Sequence, residues 1–375
     1  MGHHGRDARA TFFPMSESAQ GRVSVLIPAR NEEANIERAV RSVEAQDGVR
    51  EIIVADDQSA DRTPLILEAL KAEIPKLRTI MIESLPEGWM GKANALAHAA
   101  RAASGEWLLL TDADTEHRPD SLRALLERAE NESIDLLSLS PGQRVSKWWE
   151  KAVIPLAYVN LARRYRFEKV SDPKSTEAAA NGQYILIRRE VYERAGGHEA
   201  VRGEILDDVA LARRVKAGGG RILFLPGAAW AETRMYGTFR EMREGWTKNL
   251  YALYGGKLTG VLGALLDMLL VDWLPGIALA FFLAWLLLSL ETGEQVSERA
   301  VIGAAICFLV VAFEQWSYWQ AVKRLGYARG TAKYLFLGTP IFAWLLLAAA
   351  RAHFQDRVRW KGRDYSRQAL TKGAE

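Results

Sequence analysis

The sequence predicts an α/β domain built on a mostly parallel sheet, followed by a C-terminal region of transmembrane helices. Three observations predict it. Short apolar runs alternate with stretches of helical periodicity up to residue 139. Polar motifs rich in carboxylates fall at the ends of those runs. From Leu258 onward the chain turns strongly apolar, and its charges retreat into short loops and the tail.

Taken in order, residues 23–28 (VSVLIP) form a short apolar run of buried-strand character. Residues 32–44 follow with helical periodicity, Ile36, Ala39, Val40 and Val43 sharing one face. Residues 51–55 (EIIVA) read as a second strand. Residues 61–70 read as a helix with Pro64 in its first turn, where proline is tolerated. A third strand is expected over 77–82, an alanine-rich helix over 92–103 and a fourth strand over 106–111. A helix over 119–131 and a strand over 136–139 complete the series. Such alternation implies a sheet covered on both faces, with ligands bound where strands end and loops begin.

The 375 residues exceed a typical single domain and suggest two structural units. Lysine and arginine total 49 against 46 aspartates and glutamates, a net charge of +3 that by itself excludes nothing; no nucleic-acid partner is expected. The mean hydropathy of -0.10 averages a soluble and an apolar regime. The single cysteine, Cys307, excludes an intrachain disulfide framework and fits a reducing compartment for the soluble part. Residues 1–22 are polar, carry His3 and His4, and lack the apolar core of a signal peptide. They read as a disordered extension preceding a start near Met15.

Five clusters carry chemistry. Pro28-Ala29-Arg30-Asn31-Glu32 follows the first strand and Asp56-Asp57-Gln58-Ser59 the second. Adjacent carboxylates there can accept hydrogen bonds from a ribose or a base; Ser59 or Asp61 can equally cap a helix. In Gly91-Lys92-Ala93-Asn94, a lysine at a helix start can meet a diphosphate with help from the helix dipole, or can be a solvated surface lysine. The spacing of a P-loop is absent. In Asp112-Ala113-Asp114 the two aspartates point the same way on an extended segment, which suits a hard divalent cation. Leu206-Asp207-Asp208-Val209 leads into a helix over 210–217; a cap explains one aspartate, and the other can act as a general base. Further on, Trp246, Lys248 and Asn249 lie on an amphipathic stretch, with Trp246 either an acceptor-stacking platform or a membrane-interface anchor. The histidines have no ligand-spaced partners. His117 alone lies near the Asp-x-Asp segment.

In this order the motifs resemble the family 2 glycosyltransferases of GT-A fold, whose catalytic domain is Rossmann-like. The resemblance covers residues 23–254. It implies an inverting transferase that uses a nucleotide sugar, usually a UDP-sugar, with Mg²⁺ or Mn²⁺. Glu32 and Asp57 match its nucleotide-binding acids, Lys92 a donor-binding lysine, Asp112 and Asp114 the metal motif, and Asp208 the catalytic aspartate. Asp207 replaces the usual glutamate. Pro28, Arg30, Asp56 and Asn94 stand in the same motifs and are counted with the donor site. The tail Trp360-Lys361-Gly362-Arg363-Asp364-Tyr365 looks like that of membrane-bound members acting on lipids such as hopanoids and carotenoids, so Trp360 and Arg363 join Trp246, Lys248 and Asn249 as candidate acceptor residues. The Gln-x-x-Arg-Trp of processive synthases is missing: Met242 and Gly245 stand where its glutamine and arginine would be.

The expected organisation is therefore a catalytic domain over 23–257, a membrane region over 258–350 and a basic tail over 351–375. Residues 273–290 and 300–319 are expected to span, and 260–271, with Asp267, to form an interfacial helix. The loop 291–299 is acidic, whereas Lys323, Arg324, Arg329 and Lys333 are basic, which places the latter and the catalytic domain in the cytoplasm. Residues 334–350 form a third apolar run. If it crossed, the basic tail would lie outside against that rule; a re-entrant or interfacial path avoids the conflict. The function expected is sugar transfer to a membrane lipid by a multi-pass protein of the cell membrane. The alternatives are a processive polysaccharide synthase and a catalytically inactive membrane scaffold.

Overall fold

The computed structural model describes residues 21–293 and 295–365. The expected disordered extension falls almost wholly outside these residues, as do the last ten positions of the tail. Arg22 lies within them and pairs with Glu106 and Glu130.

The chain opens with β1 (Val23–Ala29), α1 (Ile36–Glu44), β2 (Val49–Asp56), α2 (Thr63–Glu73), β3 (Leu77–Met81), α3 (Gly91–Ala102), β4 (Trp107–Leu110) and β5 (Thr115–His117). It continues through α4 (Ser121–Asn131), β6 (Leu136–Ser140), β7 (Gly142–Gln143), α5 (Trp148–Arg164), α6 (Phe167–Ser171), β8 (Ile185–Arg188) and α7 (Arg189–Arg194). Then come α8 (Asp207–Ala217), β9 (Ile222–Pro226), β10 (Ala231–Thr233) and α9 (Phe239–Leu253). The main sheet has the order β3-β2-β1-β4-β8-β6-β9. Its pairs are parallel except at β8, which runs antiparallel to both β4 and β6.

Alternation along each strand sends successive side chains to opposite faces of the sheet. Val25, Ile27, Ile52, Val54 and Leu109 pack with Ile36, Val40, Leu122 and Leu125 of α1 and α4. Leu26, Ile53, Leu108 and Leu110 pack with Ala95, Ala99, Leu211 and Val215 of α3 and α8. The sheet is thus buried on both faces, as its near-continuous apolar strands require. A second sheet, β5-β10-β7, folds the segment after Asp114 back against residues 231–233.

The apolar region follows as α10 (Leu258–Asp267), a π-helical turn over Met268–Trp273, α11 (Leu274–Thr292), α12 (Glu298–Arg324), a 3₁₀ turn (Arg329–Tyr334) and α13 (Leu335–Phe354). One feature corrects the expectation. Residues 258–292 form one continuous helix, with no break separating an interfacial segment from a span. The π turn precedes Pro275, which lacks the N–H that a straight α-helix would use there; the widened turn absorbs that defect. Among the described residues, three helices are long and apolar enough to cross a membrane, by length and composition. They differ in packing. Only 6% and 11% of the first two apolar windows is buried within the protein, against 44% of the third. The third, α13, lies on α5 and α9, and Gly338 permits this: a Cβ there would collide with the Ala152 carbonyl. The chain then turns back in a hairpin of β11 (Arg359–Trp360) and β12 (Arg363–Asp364) that reaches the loops after β1 and β2.

Candidate active site

A cavity of about 680 Å³ opens where β1, β2 and β4 end, between α3, α8, α9 and the tail hairpin. The side expected to take the donor is built from two interlocked loops. Arg30 donates through Nη1 to the Asp57 carbonyl at 2.5 Å, the Asn31 N–H donates to Ser59 Oγ at 2.9 Å, and Asn31 Oδ1 accepts from the Ala60 N–H at 2.8 Å. Asn31 sits at φ 53, a left-handed conformation that asparagine tolerates better than most residues. These contacts present Glu32 and Asp57 to the cavity. Asp56 is different. It is fully buried, caps its own loop by accepting from the Ser59 N–H at 3.1 Å, and does not line the cavity.

At the centre, Lys92 Nζ stands 2.5 Å from Asp112 Oδ1. Burial opposes the lysine's charge, but Asp112, Asp207 and Asp208 hold it firmly protonated. Asp114 is held well above the usual carboxylate range by burial and by the neighbouring charges of Asp112 and Glu32. Such crowding of carboxylates is costly without a cation between them. Asn94 lies behind this centre, buried on α3 and off the cavity wall.

The pair Asp207-Asp208 opens α8. Asp208 accepts from the backbone N–H groups of Gly182 and Val209, each at 2.8 Å. Burial and the Asp207 charge push its carboxyl up to about 6. Asp207 lines the cavity. Burial works against its charge, but the bond to His198 and the charge of Lys92 hold it down at about 2. The two carboxyls thus separate into one that stays ionised and one able to exchange a proton near neutrality, the division expected of acid–base sites. Gly182 lies between Asp208 and Lys92; a Cβ there would come within 2.6 Å of Lys92 Nζ and 3.4 Å of Asp208 Oδ2, so the lysine tip would have to shift.

On the opposite wall, Lys248, Asn249 and Trp360 face the cavity. Trp246 does not. It is 3% exposed and packed between Tyr158 and Tyr236, at ring separations of 6.4 and 6.5 Å. Burial removes both expectations for it, an acceptor platform and a membrane anchor; it fixes α9 to α5. Arg363 is also placed differently from expectation. It forms a two-pronged ion pair with Asp57, in the loop after β2, away from Lys248 and Asn249 on α9. Three residues not counted among the candidate site residues belong here. Lys361 pairs with Glu32 and bonds the Arg30 carbonyl at 2.9 Å. Tyr365 lines the cavity beneath Lys248, 5.5 Å from its ring centre. His198 supports Asp207 at 3.4 Å, with the Tyr192 hydroxyl 2.9 Å from its other ring nitrogen. His117, by contrast, bonds Thr111 at 3.0 Å and is pushed down to about 3 by burial, so it is a neutral core residue. Among the described residues, no group of three or more His, Cys, Asp or Glu side chains is set to hold a metal by itself.

The chain is similar to glycosyltransferases in sequence and in fold. Residues 24–196 match the family described as Glycosyl transferase family 2, on a GT-A-like fold with apolar helices after it. Similar proteins include the 4,4'-diaponeurosporenoate glycosyltransferases of Staphylococcus haemolyticus (strain JCSC1435), 25% identical over 351 residues, and of Staphylococcus aureus (strain USA300), 26% identical over 353. Each alignment covers 92% of this chain and 88% of the relative. Among solved structures, a mannosyltransferase from Pyrobaculum calidifontis in complex with GDP-Man and Mn²⁺ is similar in fold, with a TM-score of 0.52 at 19% identity, over 90% of this chain and 88% of that one.

Proposed function

We propose that the protein transfers a sugar from a nucleotide-diphosphate sugar, a UDP-sugar, to a membrane lipid with inversion at the anomeric carbon. The observation that carries this reading is one cavity lined by Lys92, Asp112, Asp114 and Asp207 and walled by the helix α9, on which the apolar helix α13 docks; Asp208 stands next to Asp207 at the start of α8, off the cavity wall. The relatives that align over nearly the whole chain are carotenoid glycosyltransferases, which supports a lipid acceptor.

Glu32 and Asp57 take the nucleoside, and Lys92 takes the diphosphate at the start of α3. Asp208 accepts the acceptor's hydroxyl proton as the acceptor oxygen bonds to the anomeric carbon. The bond from that carbon to the diphosphate breaks, and the nucleoside diphosphate leaves with the electron pair. Asp112 and Asp114 fit a hard cation: their carboxyls crowd one another, and two carboxylates plus diphosphate oxygens make a usual magnesium shell. Mg²⁺ or Mn²⁺ there supplies positive charge for the departing diphosphate.

The tail pairs with Glu32 and Asp57, so the two ends of the apolar region share one side of the bilayer. That requires an even number of crossings. It supports residues 258–292 and 298–324 as the spans, with α13 kept at the catalytic domain. The basic residues Lys323, Arg324, Arg329 and Lys333 then lie on the catalytic side, which the positive-inside rule makes cytoplasmic. The test is a screen of nucleotide sugars with membrane lipid extract, read by mass spectrometry of the product. A glycolipid formed from a UDP-sugar supports the reading; sugar release or transfer with no donor overturns it.

A further inference from the structure

The two carboxylates that should receive the nucleoside are already answered by cations from the far end of the chain. Arg363 grips Asp57 through both guanidinium nitrogens, the Nη2–Oδ1 bond being 2.8 Å, and Lys361 pairs with Glu32. These contacts join residues 306 and 329 positions apart. The hairpin that delivers them is tightly specified. Its two turn residues, Lys361 and Gly362, have φ 46 and 77, the doubly positive pattern of a two-residue hairpin turn, which is strained at a lysine. Arg30 holds the turn further, donating to the Lys361 carbonyl at 3.2 Å.

Two independent observations indicate what the cations are for. The Arg363 guanidinium lies against Gly91, the first residue of α3, so closely that a Cβ there would collide with Nη1. A helix start repels a cation and attracts an anion. Arg363 is therefore tolerated there only because Asp57 faces it, and an anion arriving at α3 would find the helix start, Lys92 and Arg363 all favourable. The second observation concerns α9. Where a processive synthase carries arginine before its tryptophan, this chain has Gly245, and a Cβ there would already lie 2.6 Å from the Tyr236 hydroxyl. There is no room for an arginine at that place. The hairpin instead brings Lys361 and Arg363 against the loops after β1 and β2.

We propose that Arg363 and Lys361 are ligands of the donor diphosphate, held on Asp57 and Glu32 until the donor binds. This assignment rests on the donor reading above. Binding moves the two cations from the carboxylates to the phosphate oxygens and frees Asp57 and Glu32 for the nucleoside. As the anomeric carbon–oxygen bond breaks, the leaving diphosphate gains a negative charge, which these cations offset. No other bond changes at the hairpin.

The test compares binding of UDP, UMP and uridine, with the guanosine series in parallel, to the full-length protein in lipid nanodiscs. Wild type is set against Arg363→Ala, Arg363→Lys and Lys361→Ala, each checked by thermal melting. Loss of a charge-assisted contact should weaken diphosphate binding by on the order of ten- to a hundredfold. Nucleoside binding should stay level or tighten, because a carboxylate has been released. Arg363→Lys should recover part of the loss, since a lysine keeps the charge without the planar fork. An equal fall for UDP and uridine would show a merely structural hairpin, and an equal rise a plug; either overturns the assignment. If Arg363→Ala does not fold, Lys361→Ala carries the same comparison. Wild-type protein that binds neither UDP nor GDP overturns the donor reading itself, and this assignment with it.

Discussion

His198 Nε2 stands 3.4 Å from Asp207 Oδ2, and this contact helps keep Asp207 ionised beside a partner that is not held so firmly. The Asp207 charge, together with burial, raises Asp208 to about 6. The first two predictions concern that pair.

Asp208 can take a proton only when it has none. Its folded-state value is raised, so the incompetent protonated form prevails below about pH 6 and the competent form above it. Transfer should therefore rise through about pH 6 and level off. Asp207→Asn removes the neighbouring charge, and the acid limb should move to lower pH. A limb that stays in place or moves up in that variant would contradict the electrostatic coupling.

Asp208→Asn should lower turnover by about 10²–10⁴, the range for loss of a positioned general base. Donor affinity should barely change, because the residue serves the acceptor. Donor binding that falls in step with turnover would show that the role has been misassigned, and greater damage from Asp207→Asn would move it to the cavity-facing member of the pair.

Asp114→Asn should abolish turnover and metal-dependent donor binding while leaving the fold intact. Chelation should do the same to the wild type. Full activity in EDTA would remove the cation from the account.

Much of this was legible in the chain. The strands β1, β2 and β4 are apolar on both faces, so their runs stand out, and the motifs at their ends are local in sequence. β8 was missed because its four residues (Ile185–Arg188) are short and run against their neighbours. The two- and three-residue strands β5, β7 and β10 carry no periodicity to read. Trp246 misled because an aromatic residue on an amphipathic helix looks alike whether it faces a ligand or the core. The pairs of Lys361 with Glu32 and Arg363 with Asp57 could not be read, because nothing in a sequence ties charges that distant. The one local signal was the Lys-Gly turn between Trp360 and Arg363, which suits a tight hairpin.

Gly338 lets α13 approach α5 at backbone distance. Gly338→Val should force the helices apart, costing about 1–3 kcal/mol, as overpacking typically does. The thermal midpoint in detergent should drop, and transfer should fall more steeply than the loss of folded protein, because the hairpin hangs from α13. Unchanged melting and transfer would show that the close approach is not needed.

Topology can be read by thiol labelling in a Cys307→Ser background. A cysteine at Val296, between the two spans, should react with an impermeant reagent in intact cells. One at Arg329 should react only after permeabilisation. The reverse pattern would place the catalytic domain outside.

The hairpin also fixes an order of assembly. The α/β domain is synthesised first and can collapse around its sheet while the rest is still being made, as N-terminal domains generally do. Its donor loops must then wait for partners some three hundred residues downstream, and contacts of such separation form late. On the topology proposed above, α10–α12 enter the bilayer between the two events, since they separate the α/β domain from α13 in the chain. A nascent or uninserted chain therefore has a folded sheet but a nucleotide cleft without its last two cations. Completion of the cleft is thereby tied to arrival in the membrane, and a chain that never inserts is left without a finished donor site.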